Sequence, residues 1–148
     1  MTSIWSGYNN VGICATALIS VLRHTEHISV PKALLVMPLV MHEATVRHLS
    51  DARVSHRGSA ALAAQRPDLF TNFSERYDAS LVASVNAIQL LVVYGYAIFN
   101  DGLSLNKPLQ IDKSFGKRAE KIDKASSHIA SLLSSPVDEL YLNFRVKI

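Results

Sequence analysis

The sequence predicts a mainly helical chain carrying a small β-hairpin, an α+β class. Three observations carry that prediction. Apolar residues recur at helical spacing through most of the 148 residues. An uncharged run from Ala79 to Phe99 (ASLVASVNAIQLLVVYGYAIF) contains Gly95, a helix breaker. Asn100-Asp101-Gly102 then offers a tight turn between two apolar strands. The length suits one domain, residues 1–148, able to bury a core without staples. Within it, residues 1–78 form N-terminal helices, and 79–148 form a long buried helix, a β-wing and C-terminal helices.

Asn9 or Asn10 is a good N-cap for a first helix, in which Val11, Cys14, Ala17, Leu18, Val21 and Leu22 recur at helical spacing up to about His24. Ser29 caps a second, with Pro31 in its first turn and Leu34, Leu35, Met37, Leu39, Val40, Val46 and Leu49 on its apolar positions. Pro38 lacks an N–H and clashes with the preceding turn, so the helix should kink or split near Met37. Residues 50–58 are a polar, basic connection. Ser59 caps a short helix through Gln65, and Pro67 opens another, with Asp68 in its first turn and Leu69, Phe70 and Phe73 packing inward.

Asp78 or Ser80 caps the long apolar helix, expected over Ala79–Tyr94 and buried at the centre of the fold. The same run is long enough to cross a bilayer. Asn86 and Gln89 in its middle and Gly95 near its end argue instead for a packed core element. Leu103 and Leu105 form the return strand, limited by Pro108. After a loop from Ile111 to Lys117, a helix following Ser114 or Gly116 carries Ile122, Ala125, Ile129 and Leu132 on one stripe. Its other face carries Lys117, Lys121 and Lys124, with Glu120–Lys124 as a supporting pair. Pro136, Asp138 and Glu139 look like a helix start, yet Leu140, Leu142, Phe144, Val146 and Ile148 alternate with polar or aromatic residues as a strand would. The expectation is a helical start that ends extended.

Composition narrows the function. Apolar residues make up 49% and charged ones 18%, so the chain is globular and somewhat sticky, as a subunit of a complex would be. A net charge of +3 permits contact with nucleic acid without pointing to it. The single cysteine, Cys14, removes a disulfide framework and a cysteine-based zinc site, and its apolar setting reads as a buried thiol. The N-terminal residues show no signal-peptide pattern, so a cytoplasmic address is expected, with no membrane.

Catalytic signatures fail one by one. His42-Glu43 resembles the opening of a zinc-protease helix, but the position four residues after His42 is Val46. His24 and His27 have ligand-like spacing and no signalled third ligand, so helix-end or surface histidines are expected. Gly58-Ser59-Ala60 lacks the second glycine of a nucleophile elbow. No phosphate-cradling or dinucleotide glycine loop occurs, and no acid pair is clustered for proton transfer. No catalytic residue, cofactor or metal is therefore assigned.

Two basic groups remain as candidate contacts for nucleic acid or an acidic partner. One holds Arg47, Arg53 and Arg57 with His56; the other follows the wing with Lys107, Lys113, Lys117, Arg118, Lys121 and Lys124. Asp112, Glu120 and Asp123 interleave with the second group, as on an ordinary solvated face. Asp51 alone offsets the first. Trp5 and Tyr8 are either core anchors or a docking patch for a partner.

The order of these motifs resembles a known family. Tyr8-Asn9-Asn10 precedes a helix; the block ALLVMPLVMHEATVRHL (Ala33–Leu49), Pro67-Asp68-Leu69, the apolar helix ending Tyr94-Gly95, the Asn100-Asp101-Gly102 hairpin and the lysine-rich helix toward Leu133 follow. This resembles the small middle component of bacterial three-component ABC systems, the group that includes Lamassu-type anti-phage defence. The resemblance implies a winged-helix-like, non-enzymatic adaptor. Its implied partners are an SMC-like ABC ATPase and an effector subunit, often a nuclease, with DNA contact through the complex. The alternative is a stand-alone winged-helix DNA-binding regulator, for which the apolar helix before the wing is poor reading material.

Overall fold

The computed structural model describes residues 2–51, 53 and 58–147; the side chains of residues 2–9 and of Lys113 lie outside that description. Helix α1 (Thr2–Leu22) starts well before the expected cap at Asn9 or Asn10, which both fall inside it. From Cys14 to Leu22 every residue except Thr16 is buried, on all sides of the helix. The second half of α1 is therefore the central rod of the fold. It lies against three other helices, those over residues 36–40, 73–93 and 117–132, and touches the hairpin.

Ser29 does cap the next helix, accepting a hydrogen bond from the Lys32 amide at 3.4 Å, with Pro31 in the first turn of α2 (Val30–Ala33). The single helix expected from Ser29 to Leu49 is split into three short ones, of which α2 is the first. Proline disturbs the carbonyl four residues earlier, so Pro38 acts on Leu34, and the break falls at Leu34–Leu35 instead of near Met37. The proline itself is buried within α3 (Val36–Val40). A further break at Met41–His42 starts α4 (Glu43–Leu49). Helix α5 (Ser59–Gln65) follows Gly58, which takes the cap position at φ 101°, one residue before the expected Ser59.

Pro67–Phe70 forms a single 3-10 turn with Leu69 and Phe70 buried. Helix α6 (Phe73–Val93) then runs unbroken, so the expected caps Asp78 and Ser80 lie inside it. Phe73 belongs to this helix and sits in a ring cluster with Phe70 and Phe144, centroids 5.6 and 5.2 Å away, which anchors the extra turns. The C-terminus of α6 is a Schellman turn. The Tyr96 amide donates to Leu91 O at 2.8 Å and Gly95, at φ 77°, donates to Val92 O at 3.1 Å. That geometry is why the helix stops where Gly95 predicted.

Strands β1 (Ala97–Phe99) and β2 (Leu103–Leu105) pair antiparallel, Ala97 with Leu105 and Phe99 with Leu103. Ile28 adds a bridge to the far edge of β2, exchanging both backbone bonds with Leu103 at 2.9 and 2.7 Å. A single 3-10 turn (113–115) leads through Gly116 to α7 (Lys117–Leu132), whose Ile122, Ala125, Ile129 and Leu132 are all buried as expected. Asp123 instead pairs with Arg23, the residue just past the end of α1; the Glu120–Lys124 pair does not form.

The chain end is helical further than the alternation suggested. Helix α8 (Val137–Asn143) places Leu140 and Phe144 one turn apart in the core while Leu142 is 77% exposed. A second Schellman turn follows, with Val146 N to Tyr141 O at 3.0 Å and Arg145 at φ 62°. Stacking of Phe144 on Phe70 at 4.7 Å and a bond from Asn143 to Ser59 Oγ at 2.9 Å fix α8 on α5 and the 67–70 turn.

The largest departure from expectation concerns α6. Its buried stripe is made of Ser80, Ser84, Ala87 and Leu91, mostly small residues, against which α1 packs closely enough for Cys14 Sγ to reach Ser84 Oγ at 3.9 Å. Several of its aliphatic residues point outward: Val82 is 74% exposed and Val93 79%, with Val85 and Leu90 also exposed and Tyr94 exposed at the C-cap. The apolar run is a half-exposed flank of the core and α1 is its centre. No helix among the described residues is long and apolar enough to cross a membrane.

Candidate partner-binding surfaces

The lysines of α7 do not lie on open ground. Gly116, at φ 99°, turns the chain into the helix, and Asp112 fixes the turn before it by accepting from Ser114 N at 2.9 Å. The Ser114 hydroxyl, and then this amide, hold the Asp112 carboxyl below its usual range. Lys117, Arg118 and Lys121 then stand at the N-terminal end of α7, where unpaired amides add positive potential. They line one side of a cleft of about 380 Å³. Val40, Met41, Val46 and Ile122 form its apolar lining, and Glu43 is the acidic residue on its wall.

Lys121 and Lys117 thus meet, and Lys124 continues the same exposed face of α7 outside the cleft. The other basic group is already occupied with its own carboxylates. Arg53 grips Asp51 through two guanidinium bonds of 3.1 and 3.0 Å, and these hold Asp51 down at about 2. Arg47 pairs with Glu43 one turn earlier at 3.4 Å on the cleft rim. Arg57 lies outside the described residues, as do the side chains of Trp5 and Tyr8, whose backbone is part of α1.

Sequence reasoning did not find a second groove, because its walls come from three distant segments. Pro31 and Leu34, Tyr77 of α6, and Val137 and Tyr141 of α8 enclose about 570 Å³ of open, apolar space with Asp138 at the edge. Tyr141 is fixed in it by donating to Pro31 O at 2.6 Å, and its hydroxyl lies 3.1 Å from that of Tyr77. Burial, and then the Tyr77 hydroxyl, push its ionisation far up, so the phenol stays neutral.

Several other reactive side chains among the described residues are in structural settings. Cys14 is fully buried and desolvation pushes its thiol up to about 12, which leaves no thiolate near neutrality. His24 meets Ser126 at 3.1 Å, His42 meets Thr45 at 2.8 Å, and His128 donates to Leu49 O at 2.6 Å. Among the described residues no group of three or more His, Cys, Asp or Glu is placed to hold a metal.

The family model for ABC-three component (ABC-3C) system Middle Component 3 matches residues 4–148 of this sequence. The chain belongs to that family. No curated protein and no solved structure matches it. As an ABC-3C middle component it is one part of a three-component ABC system, and both grooves lie within the matched span.

Proposed function

We propose that this middle component is a non-enzymatic adaptor that bridges an SMC-like ABC ATPase and an effector subunit, a nuclease, in a cytoplasmic anti-phage complex of the Lamassu type. The observation that carries the reading is the pair of grooves with different chemistry on one small chain. The cleft beside α7 suits a partner segment bearing an apolar anchor and flanking carboxylates, received by Lys117, Arg118 and Lys121. The tyrosine-floored groove suits an apolar segment with few charges. Trp5 and Tyr8 at the start of α1 are a further docking patch in this proposal, and Arg47, Arg53, Arg57 and Lys124 are secondary contacts for DNA held by the complex.

The element order supports a winged-helix-like, single-domain arrangement. A helix is followed by the Ile28 bridge, further helices, then α6 and a hairpin whose second strand pairs back to Ile28. In such an arrangement α6 would be the recognition element. Its outer surface carries valines and amides with no cation between Arg76 and Lys107, which disfavours phosphate contact by an isolated regulator.

Co-expression of the tagged chain with its neighbouring genes tests the reading. The expected result is co-purification with a large ATPase, reduced at least tenfold by Lys117→Glu with Lys121→Glu while helical content is unchanged. Recovery of the chain alone would overturn the adaptor reading, and a salt-dependent gel shift by the isolated protein would favour the DNA-binding alternative.

A further inference from the structure

We infer that the exposed stripe of α6 pairs with the same stripe of a second copy of this chain, antiparallel, about a two-fold axis between Ala87 and Ile88. This is independent of the adaptor reading, which uses the two grooves. The stripe opposite the buried Ser80–Ser84–Ala87–Leu91 face holds Val82, Asn86, Gln89 and Val93 along its centre, flanked by Val85 and Leu90, all exposed. These six positions are symmetric about the midpoint between residues 87 and 88. Antiparallel pairing on that point sets Val82 against Val93, Val85 against Leu90, and Asn86 against Gln89, each contact occurring twice.

The amides select the occupant. Asn86 and Gln89 make no side-chain hydrogen bond to a described residue. Any partner that covers the valines also takes water from these amides, and an unmatched one leaves them unsatisfied. A second copy supplies an amide opposite each. Charge agrees with the same register. Exposed Glu75 and Asp78 stand at the N-terminal end of α6, and Lys107 at the other end, its ammonium 3.6 Å from where a Cβ on Gly95 would be. Antiparallel pairing brings the acidic end of each helix toward the basic end of the other, with the helix dipoles opposed. The stripe is short, about 17 Å from Val82 to Val93, so the association belongs to the weak class of interfaces.

Sedimentation equilibrium of the full chain from about 5 to about 500 µM is the first test, spanning that weak class. The expected result is a reversible monomer–dimer equilibrium. Val82→Lys, at a position open to solvent, should weaken it at least tenfold, and adding Val93→Glu to the same chain should restore it, because each introduced ammonium then faces an introduced carboxylate. Register is tested separately by mixing Val82→Cys chains with Val93→Cys chains under copper-catalysed air oxidation. Disulfide dimers should form in the mixture and not in either variant alone, since like positions lie about 17 Å apart in the pair. A wild-type monomer throughout, strongest linking between like positions, or a face covered only by another component of the system would overturn the inference.

Discussion

At Gly102 the backbone sits at φ 140°, and a Cβ there would lie 2.4 Å from the His27 ring and 2.7 Å from Ile28 O. The exposed ring can move, but the carbonyl is held in the bridge to Leu103. Gly102→Ala should therefore cost about 2–4 kcal/mol in chemical denaturation, from strained backbone plus a contact that cannot relax. Arg145 is the opposite case. It occupies, at φ 62°, the position where a Schellman turn favours glycine. Arg145→Gly should raise stability by about 0.5–1 kcal/mol, read as a higher denaturation midpoint; a fall would show that the turn at the end of α8 is held by something other than its backbone. The turn at Asn100-Asp101-Gly102 was readable because its residue types state the φ they need. The turn at Arg145 was not, because nothing about an arginine announces a left-handed residue.

Among the elements, α8 shows how a pattern of period two misleads. The alternation of Leu140, Leu142 and Phe144 fits a strand, but the ring of Phe144 has partners at 4.7 and 5.2 Å that only a helical turn lets it reach together with a buried Leu140. Phe144→Ala should cost about 3–5 kcal/mol. Leu142→Gln, at a site 77% exposed, should stay within about 0.5 kcal/mol. Equal losses in thermal denaturation would favour the strand. The split of the Ala33–Leu49 block has a similar lesson: Pro38 was seen to be disruptive, and only the path of the chain showed the disruption landing at Leu34. In α6 the hydropathy identified an element that can be buried, while its small residues, Ser80, Ser84 and Ala87, are the ones that are buried.

For the molecule as a whole, pH stability follows from histidines in the fold. Burial lowers the affinity of His24, His42 and His48 for a proton, ahead of the nearby Arg23, Arg76 and Arg66. Their folded values lie below the usual 6.5, so the unfolded chain takes up protons first as pH falls. Stability from this source is complete above 6.5 and is lost as pH drops through the depressed folded values. The melting temperature should fall between about pH 7 and about pH 5, and His24→Gln with His48→Gln should flatten that fall. An unchanged slope would move the effect to other groups.

Residue order was enough for the body of α1 from Val11 onward, for α7, the hairpin, the Gly95 stop and the membership in a three-component ABC family, because periodicity, turn chemistry and motif order are local. The α7 lysines were visible too, as a charged face. That they rim an apolar cleft, that α1 and not α6 is the central rod, and that Pro31, Tyr77 and Tyr141 share a groove depended on segments far apart in the chain coming together. Burial is a competition among all apolar surfaces for a limited interior, and its outcome is settled only when every helix is in place.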